Sequence, residues 1–186
     1  MKTAGFVLVG GASSRMGRDK ALLPYRGRTL AEHVASTVRE AAGSVTLIGP
    51  TERYNALGFP VVADLVAGHG PLGGILTALA VSAADWNLIV ACDMPLLSAA
   101  FLESLLIEAT EAGGDCLVPT SGGRLEPLCA VYHRAALPLI REAIEDNRRK
   151  VTDALAGLHI VRRAVSQAVW FENLNTPEDW ASHNHG

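Results

Sequence analysis

The chain has 186 residues, of which 49% are hydrophobic and 19% are charged, and these proportions are typical of one globular domain. They exclude a disordered chain, a collagen and a coiled coil. The 19 acidic residues outnumber the 16 lysines and arginines, and the formal net charge of -3 disfavours nonspecific binding to nucleic acid. We therefore expect one domain over residues 1–186, with a frayed tail from about residue 182.

The sequence shows no feature of a membrane protein or an exported protein. No apolar run approaches the ~20 residues of a membrane-spanning helix, and the short run at residues 4–9 is followed at once by a charged loop, unlike a signal peptide. The three cysteines, Cys92, Cys116 and Cys129, lie far apart without C-x-x-C spacing, which disfavours a disulfide framework or a zinc site. We expect a cytoplasmic protein whose cysteines are small buried side chains.

Short β-branched runs alternate with longer amphipathic stretches in the first part of the chain. Five runs predict buried strands, at residues 5–9, 45–48, 60–63, 88–91 and 116–118. Thr29 and Glu32 have the spacing of a capping box, which predicts a helix that ends near Gly43. A second helix is predicted over residues 98–112. This alternation indicates a parallel sheet with helices on both faces.

The pattern changes after the fifth predicted strand. Residues 127–132 form another strand pattern with no long helix before it, which predicts one antiparallel strand. Helices are predicted near residues 135–145 and 152–156, and Thr176 followed by Pro177 predicts the start of a last one. The predicted fold class is α/β: a single-domain, three-layer, Rossmann-like sandwich whose mostly parallel sheet contains one antiparallel strand.

A glycine-rich loop follows the first predicted strand, at the edge of the sheet where open α/β folds bind ligands. It spans residues 10–20, begins with Gly10 and Gly11, and carries Arg15, Arg18 and Lys20. Glycine lets the backbone approach a phosphate closely and the cations can offset its charge, so the loop predicts a polyphosphate site. It lacks both the Gly-Lys-Ser/Thr of a P-loop and the last glycine of G-x-G-x-x-G, and an ordinary surface turn is the alternative.

Two aspartates, Asp64 and Asp93, each end an apolar run that we predict to be a strand. Both would then lie at the same edge of the sheet as the cationic loop. A carboxylate there can bind Mg²⁺, which takes oxygen ligands from one or two carboxylates and from substrate phosphates. The alternative for each is a turn or cap residue, and the nearby cations favour the metal at Asp93.

A second glycine-rich segment covers residues 68–75 and precedes a predicted helix. Glycine at this density permits a planar base to lie against the backbone. Alternatively, Gly73 and Gly74 allow the helix to pack closely against a neighbouring element.

With these residues identified, the chain resembles the molybdenum cofactor guanylyltransferases of the nucleotide-diphospho-sugar transferase-like superfamily over nearly its whole length. The opening segment, from Leu8 to Lys20, is similar to the family pattern L-A-G-G-x-S-x-R-M-G-x-D-K, with Val9 in place of alanine. Residues 70–75 resemble the family's second glycine loop, residues 92–95 its C-D-M-P motif, and residues 173–177 its N-x-N-T-P motif. Four motifs in the same order make the resemblance specific.

The resemblance implies transfer of GMP from GTP to the terminal phosphate of molybdopterin, or of its molybdenum-bearing form, with release of pyrophosphate. It implies catalytic roles for Arg15, Lys20 and Asp93, with Mg²⁺ on Asp93, because two anions must be brought together. The substrate-binding residues that it implies are Leu8, Val9, Gly10, Gly11, Lys20, Asp64, Gly70, Pro71, Leu72, Gly73, Asp93, Asn173 and Asn175. Proteins that take up the finished cofactor are implied partners, whereas nucleic acid and membranes are not.

Three rival functions stay open at this point. The cytidylyltransferase of the same pathway shows L-A-A-G in the first loop, so Gly10 favours guanine as the base. A sugar-1-phosphate nucleotidylyltransferase is disfavoured by the length of the chain. A regulatory protein that binds a nucleotide without turnover is disfavoured by Lys20 and Asp93.

Overall fold

Strands and helices alternate along the chain, and the computed structural model describes residues 1–10 and 19–172. The strands are β1 (Thr3–Leu8), β2 (Pro24–Tyr25), β3 (Arg28–Thr29), β4 (Thr46–Ile48), β5 (Val61–Val62), β6 (Trp86–Ala91), β7 (Cys116–Ser121), β8 (Arg124–Leu125), β9 (Cys129–His133) and β10 (Ile160–Ala164). The α-helices are α1 (Leu30–Ala42), α2 (Thr51–Tyr54), α3 (Gly70–Val81), α4 (Ala99–Ala112), α5 (Leu137–Glu145) and α6 (Val151–Ala154). Short 3₁₀ helices cover Lys20–Leu22, Asn55–Leu57, Arg134–Ala136, Leu155–Gly157 and Ala168–Phe171.

One eight-stranded sheet has the order β10-β7-β9-β6-β1-β4-β5, with β8 beside β7, and β2 and β3 form a separate hairpin. In the sheet, β1 pairs in parallel with β4 and β6, whereas β9 pairs antiparallel with β6 and β7. The predicted α/β class, with a mostly parallel sheet and an antiparallel strand near residues 127–132, is therefore confirmed. The sequence patterns do not predict β10, which is parallel to β7, or the short antiparallel β8.

Helix α1 has the bounds that its local sequence predicts. Thr29 Oγ1 accepts a hydrogen bond from the Glu32 backbone N–H at 3.2 Å, and Glu32 Oε2 accepts one from the Thr29 N–H at 2.7 Å. This capping box satisfies N–H groups that lack partners in the first turn of a helix. Gly43 follows the last turn with a φ of 77°, which glycine adopts without steric cost.

Two hydrophobic cores lie on opposite faces of the sheet, because successive residues of a strand point to opposite sides. From β1, Val7 enters the core that α1 and α4 cover, and Phe6 enters the core that α3, α5 and α6 cover. The parallel pairing of β1 with β6 places the segments that follow these strands at one edge of the sheet. No helix within the described ranges combines the length and the apolarity that a membrane crossing requires.

Candidate active site

A cavity of about 190 Å³ lies at the carboxyl ends of β1 and β6. Leu8 and Ala91, the last residues of these strands, are paired in register, so the segments that follow them come together. The cavity is lined by Leu8, Gly10, Asp19, Lys20, Ala21, Pro71, Ala91, Cys92, Asp93 and Leu128. Residues of the first loop, the second glycine-rich segment and the C-D-M-P motif therefore meet at one place.

Lys20 and Asp93 form an ion pair at this cavity, with 3.8 Å between Nζ and Oδ2. The lysine, the last residue of the first loop, begins a 3₁₀ helix, and the aspartate lies in the turn after β6. The two side chains are only 14% and 27% exposed, so their charges interact more strongly than charges on an open surface. Burial raises the pKa of Asp93, and the charge of Lys20 partly opposes that shift. The pair gives the cavity one group that can bind an anion and one that can bind a cation.

The end of β1 contributes apolar and backbone surface to the cavity. Leu8 and Gly10 line it, and Gly10 has a φ of 118°, which residues with a side chain rarely adopt. The side chain of Val9 is only 1% exposed and lies in the core, and its N–H donates to the Ile48 carbonyl at 2.9 Å. Of the predicted residues 8–10, Val9 therefore turns its side chain away from the cavity.

The second glycine-rich segment forms the start of α3 and contributes Pro71 to the cavity wall. A Cβ on Gly73 would lie 2.8 Å from the Val66 carbonyl oxygen, and a Cβ on Gly74 would lie 2.9 Å from Leu8 Cδ2. The close packing that the sequence analysis left open is therefore present at both glycines.

Gly73→Ala is expected to lower the free energy of unfolding by about 1–3 kcal/mol, the usual cost of overpacking. The added Cβ would meet the backbone oxygen of Val66, which cannot rotate away as a side chain can. Urea denaturation measures the change. Gly157→Ala is the control, because its Cβ would lie 4.0 Å from Leu139, and it should change the free energy by less than about 0.5 kcal/mol. Equal losses in the two variants would contradict this interpretation of Gly73.

Besides Val9 and Gly73, three more of the predicted substrate-binding residues, Asp64, Gly70 and Leu72, do not line the cavity. Asp64 is exposed in the loop after β5, and β4 separates that strand from β1. The next residue, Leu65, donates its N–H to Oγ1 of the buried Thr77 at 3.0 Å, which ties this loop to α3. Gly70 is exposed with a φ of 52°, and Leu72 is fully buried in the core. The aspartate after β5 thus does not share the wall of the cavity with the ion pair.

Four predicted site residues, Gly11, Arg15, Asn173 and Asn175, lie outside the described residues. The helix predicted to start at Thr176 and the tail predicted from about residue 182 also lie outside them. The assignments of these residues rest on the sequence motifs alone.

The sequence does not predict the hydrogen bonds that hold the turn carrying Lys20 in place. The Tyr54 hydroxyl donates to Asp19 Oδ2 at 2.7 Å, and Asp19 Oδ1 accepts from the Ala21 N–H at 3.1 Å. Asp19 matches the aspartate that precedes the lysine in the family pattern, and this match could have identified Asp19 as a site residue. Nothing local points to Tyr54, which lies 35 residues further along the chain.

Two side chains at the turn after β6 differ from what the sequence predicts: the motifs assign no role to His33, and Cys92, expected to be buried like Cys116 and Cys129, is partly exposed. His33 of α1 has its Nε2 3.0 Å from the Pro95 carbonyl oxygen, and burial lowers the pKa of this histidine. A neutral His33 with its proton on Nε2 donates to that carbonyl and steadies the C-D-M-P turn. Cys92 lines the cavity, but burial raises the pKa of its thiol to about 12, so the thiol stays protonated at neutral pH and is no nucleophile.

Residues 5–162 match the family model described as the MobA-like NTP transferase domain. The chain belongs to this family. The match confirms the resemblance seen in the motifs, and it covers every described residue that lines the cavity. MobA-like NTP transferases are nucleotidyltransferases, which agrees with a cavity that pairs a cation with a carboxylate.

Relatives of this MobA-like domain are similar to it over nearly their whole length. The "Probable molybdenum cofactor guanylyltransferase" of Flavobacterium johnsoniae is 35% identical, across 94% of this chain and 92% of the relative. The protein with the same description from Pelotomaculum thermopropionicum is 36% identical, across 96% and 90%. The crystal structure of molybdopterin-guanine dinucleotide biosynthesis protein A from Archaeoglobus fulgidus has a TM-score of 0.85 at 28% identity, across 97% of this chain and 96% of its own.

Proposed function

We propose that this member of the MobA-like family is a molybdenum cofactor guanylyltransferase, with residues 1–186 as one nucleotidyltransferase domain. It transfers GMP from GTP to the terminal phosphate of molybdopterin, or of its molybdenum-bearing form, and releases pyrophosphate. The observation that carries the proposal is the ion pair of Lys20 and Asp93 in a cavity at the carboxyl ends of β1 and β6. The descriptions of the relatives at 35% and 36% identity support the choice of substrates.

The carboxylate of Asp93 fits a Mg²⁺ ion. Within residues 1–10 and 19–172, no three His, Cys, Asp or Glu side chains are grouped to hold a metal, so the other ligands would be substrate phosphates and water. Asp19 also lines the cavity, but both of its oxygens already accept hydrogen bonds. Asp93 would therefore hold the ion, which neutralises negative charge on the triphosphate when it is bound.

The residues of the chain would act mainly through charge and position. The attacking group is a phosphate monoester that is already anionic at neutral pH, with a second pKa of about 6, so it needs little help from a general base. Lys20 would exchange its contact with Asp93 for a triphosphate oxygen and stabilise the charge that develops on the leaving pyrophosphate. Leu8 and the Gly10 backbone would lie against the base and ribose.

Further roles in this proposal follow from the motifs. Arg15 would add a second cation at the phosphates, and Asp64 would contact the nucleotide. Asn173 and Asn175 would border the reacting phosphates or the pterin. The finished cofactor would then pass to a protein that uses it.

Competition between GTP and CTP tests the nucleotide assignment. With Mg²⁺ and molybdopterin, the purified protein is expected to show a kcat/KM for GTP on the order of 100-fold above that for CTP, because the wrong base leaves polar groups of the site unpaired. Release of pyrophosphate measures the turnover. A preference for CTP would reject guanine and indicate the cytidylyltransferase. Turnover with sugar phosphates in place of molybdopterin would indicate a sugar nucleotidylyltransferase, and binding without turnover would indicate a regulatory protein.

A further inference from the structure

Tyr54 connects the first hydrophobic core to the cavity. Its ring is fully buried in the core that α1 and α4 cover, and its hydroxyl donates to Asp19 Oδ2 at 2.7 Å. Burial raises the pKa of the hydroxyl well above its ordinary value, and the negative charge of Asp19 raises it further. The tyrosine therefore stays protonated and remains a donor over the whole range in which the protein would work.

Asp19 links this hydroxyl to the turn that carries Lys20. Its Oδ1 accepts a hydrogen bond from the Ala21 N–H at 3.1 Å and so caps the 3₁₀ helix that starts at the lysine. That helix has only three residues, and so short a 3₁₀ helix has little stability of its own. Arg53 also approaches Asp19 Oδ2, at 3.7 Å, but its side chain is 59% exposed and such a pair contributes little. The buried hydroxyl is therefore the firmer support of the aspartate.

We propose that Tyr54 is a positioning residue: through Asp19 it fixes the turn that holds the Lys20 ammonium at the cavity beside Asp93. Among the described residues, two carboxylates line the cavity, and their contacts give them different roles. Asp19 is occupied in holding the turn, whereas Asp93 faces the lysine. The inference rests on the proposed function in that a triphosphate is the ligand of Lys20, but it does not depend on which base the triphosphate carries.

A double-mutant cycle with Lys20 tests the proposal. Tyr54→Phe removes the hydroxyl and keeps the buried ring. Calorimetry measures the binding of Mg²⁺-GTP to the wild type, Tyr54→Phe, Lys20→Met and the double variant. We expect Tyr54→Phe to raise the dissociation constant about 10-fold when Lys20 is present, the size of one hydrogen bond to a charged group, and less than about 2-fold in the Lys20→Met background.

A merely structural role would weaken binding equally in both backgrounds, and that result would overturn the proposal. An unchanged affinity in Tyr54→Phe would overturn it too. Tyr132→Phe is the matched control, because this buried tyrosine donates to the Pro127 backbone carbonyl at 2.7 Å, and it should change the dissociation constant by less than about 2-fold.

A second variant covers the case in which Tyr54→Phe does not fold. Asp19→Asn keeps the size of the side chain but removes its negative charge, so weaker neutral hydrogen bonds replace the two charge-assisted ones. In the same cycle, Asp19→Asn should change the dissociation constant when Lys20 is present and should have little effect in the Lys20→Met background. If the wild type binds CTP and not GTP, the guanine assignment fails and the cycle is run with CTP. Failure of the nucleotide assignment is therefore distinguishable from failure of the positioning role of Tyr54. A wild type that binds no triphosphate overturns both proposals.

Discussion

Asp93→Ala is expected to abolish Mg²⁺-dependent turnover, with a loss in kcat of roughly 1,000-fold or more. This carboxylate is the group that we assign to the metal, and among the described residues no cluster of other metal-binding side chains replaces it. The residue lies in a turn at the edge of the sheet and not in either core, so the chain should keep its fold. Pyrophosphate release measures the activity, and circular dichroism verifies the fold.

The control for this variant is the aspartate at the opposite end of the same strand. Asp85 precedes β6, and its Oδ2 accepts a hydrogen bond from the Lys2 N–H at 3.0 Å. Asp85→Ala should leave turnover within a factor of about two, because surface substitutions far from a site change little. Turnover in Asp93→Ala within a few-fold of the wild type would remove Asp93 from the mechanism.

Lys20→Met is expected to cost about 2–4 kcal/mol of transition-state stabilisation, by analogy with the loss of one preorganised donor. Methionine fills much of the space of the lysine stem but has no ammonium to place against the phosphates. The ratio of kcat/KM for GTP in the wild type and the variant gives this free energy.

Lys150→Met is the matched control, because this lysine is exposed before α6 and does not line the cavity. It should leave kcat/KM unchanged within a factor of about two. A loss in Lys20→Met that is no larger than in the control would contradict a role for this ammonium at the phosphates.

The parts of the fold that local chemistry determines could be predicted from the sequence. Thr29, Glu32 and Gly43 set the bounds of α1 because caps and left-handed glycines act within a few residues. The last strand, β10, could not be predicted in this way. It contains Arg163, whose guanidinium lies 3.3 Å from Glu108 and 5.5 Å from the ring centroid of Phe101. These partners of the arginine are more than 50 residues away in the sequence, so no local pattern indicates them.

Some features of the candidate site could be predicted from the strand pattern, and others depend on contacts between residues far apart in the sequence. Lys20 and Asp93 could be expected to meet, because each follows a strand and parallel strands end at one edge of the sheet. The same rule places Asp64 at that edge, but the strand order puts β5 two positions from β1. The support of the lysine by Tyr54 depends on a contact across 35 residues and on packing, which no local pattern encodes.

A crystal structure with Mg²⁺ and a non-hydrolysable GTP analogue would test whether Lys20 and Asp93 together hold one metal-bound triphosphate. We expect one triphosphate in the cavity at the ends of β1 and β6, with the ion on the Asp93 carboxylate and the Lys20 ammonium within hydrogen-bonding distance of a phosphate oxygen. A nucleotide bound elsewhere, with Lys20 and Asp93 still paired to each other, would contradict this expectation.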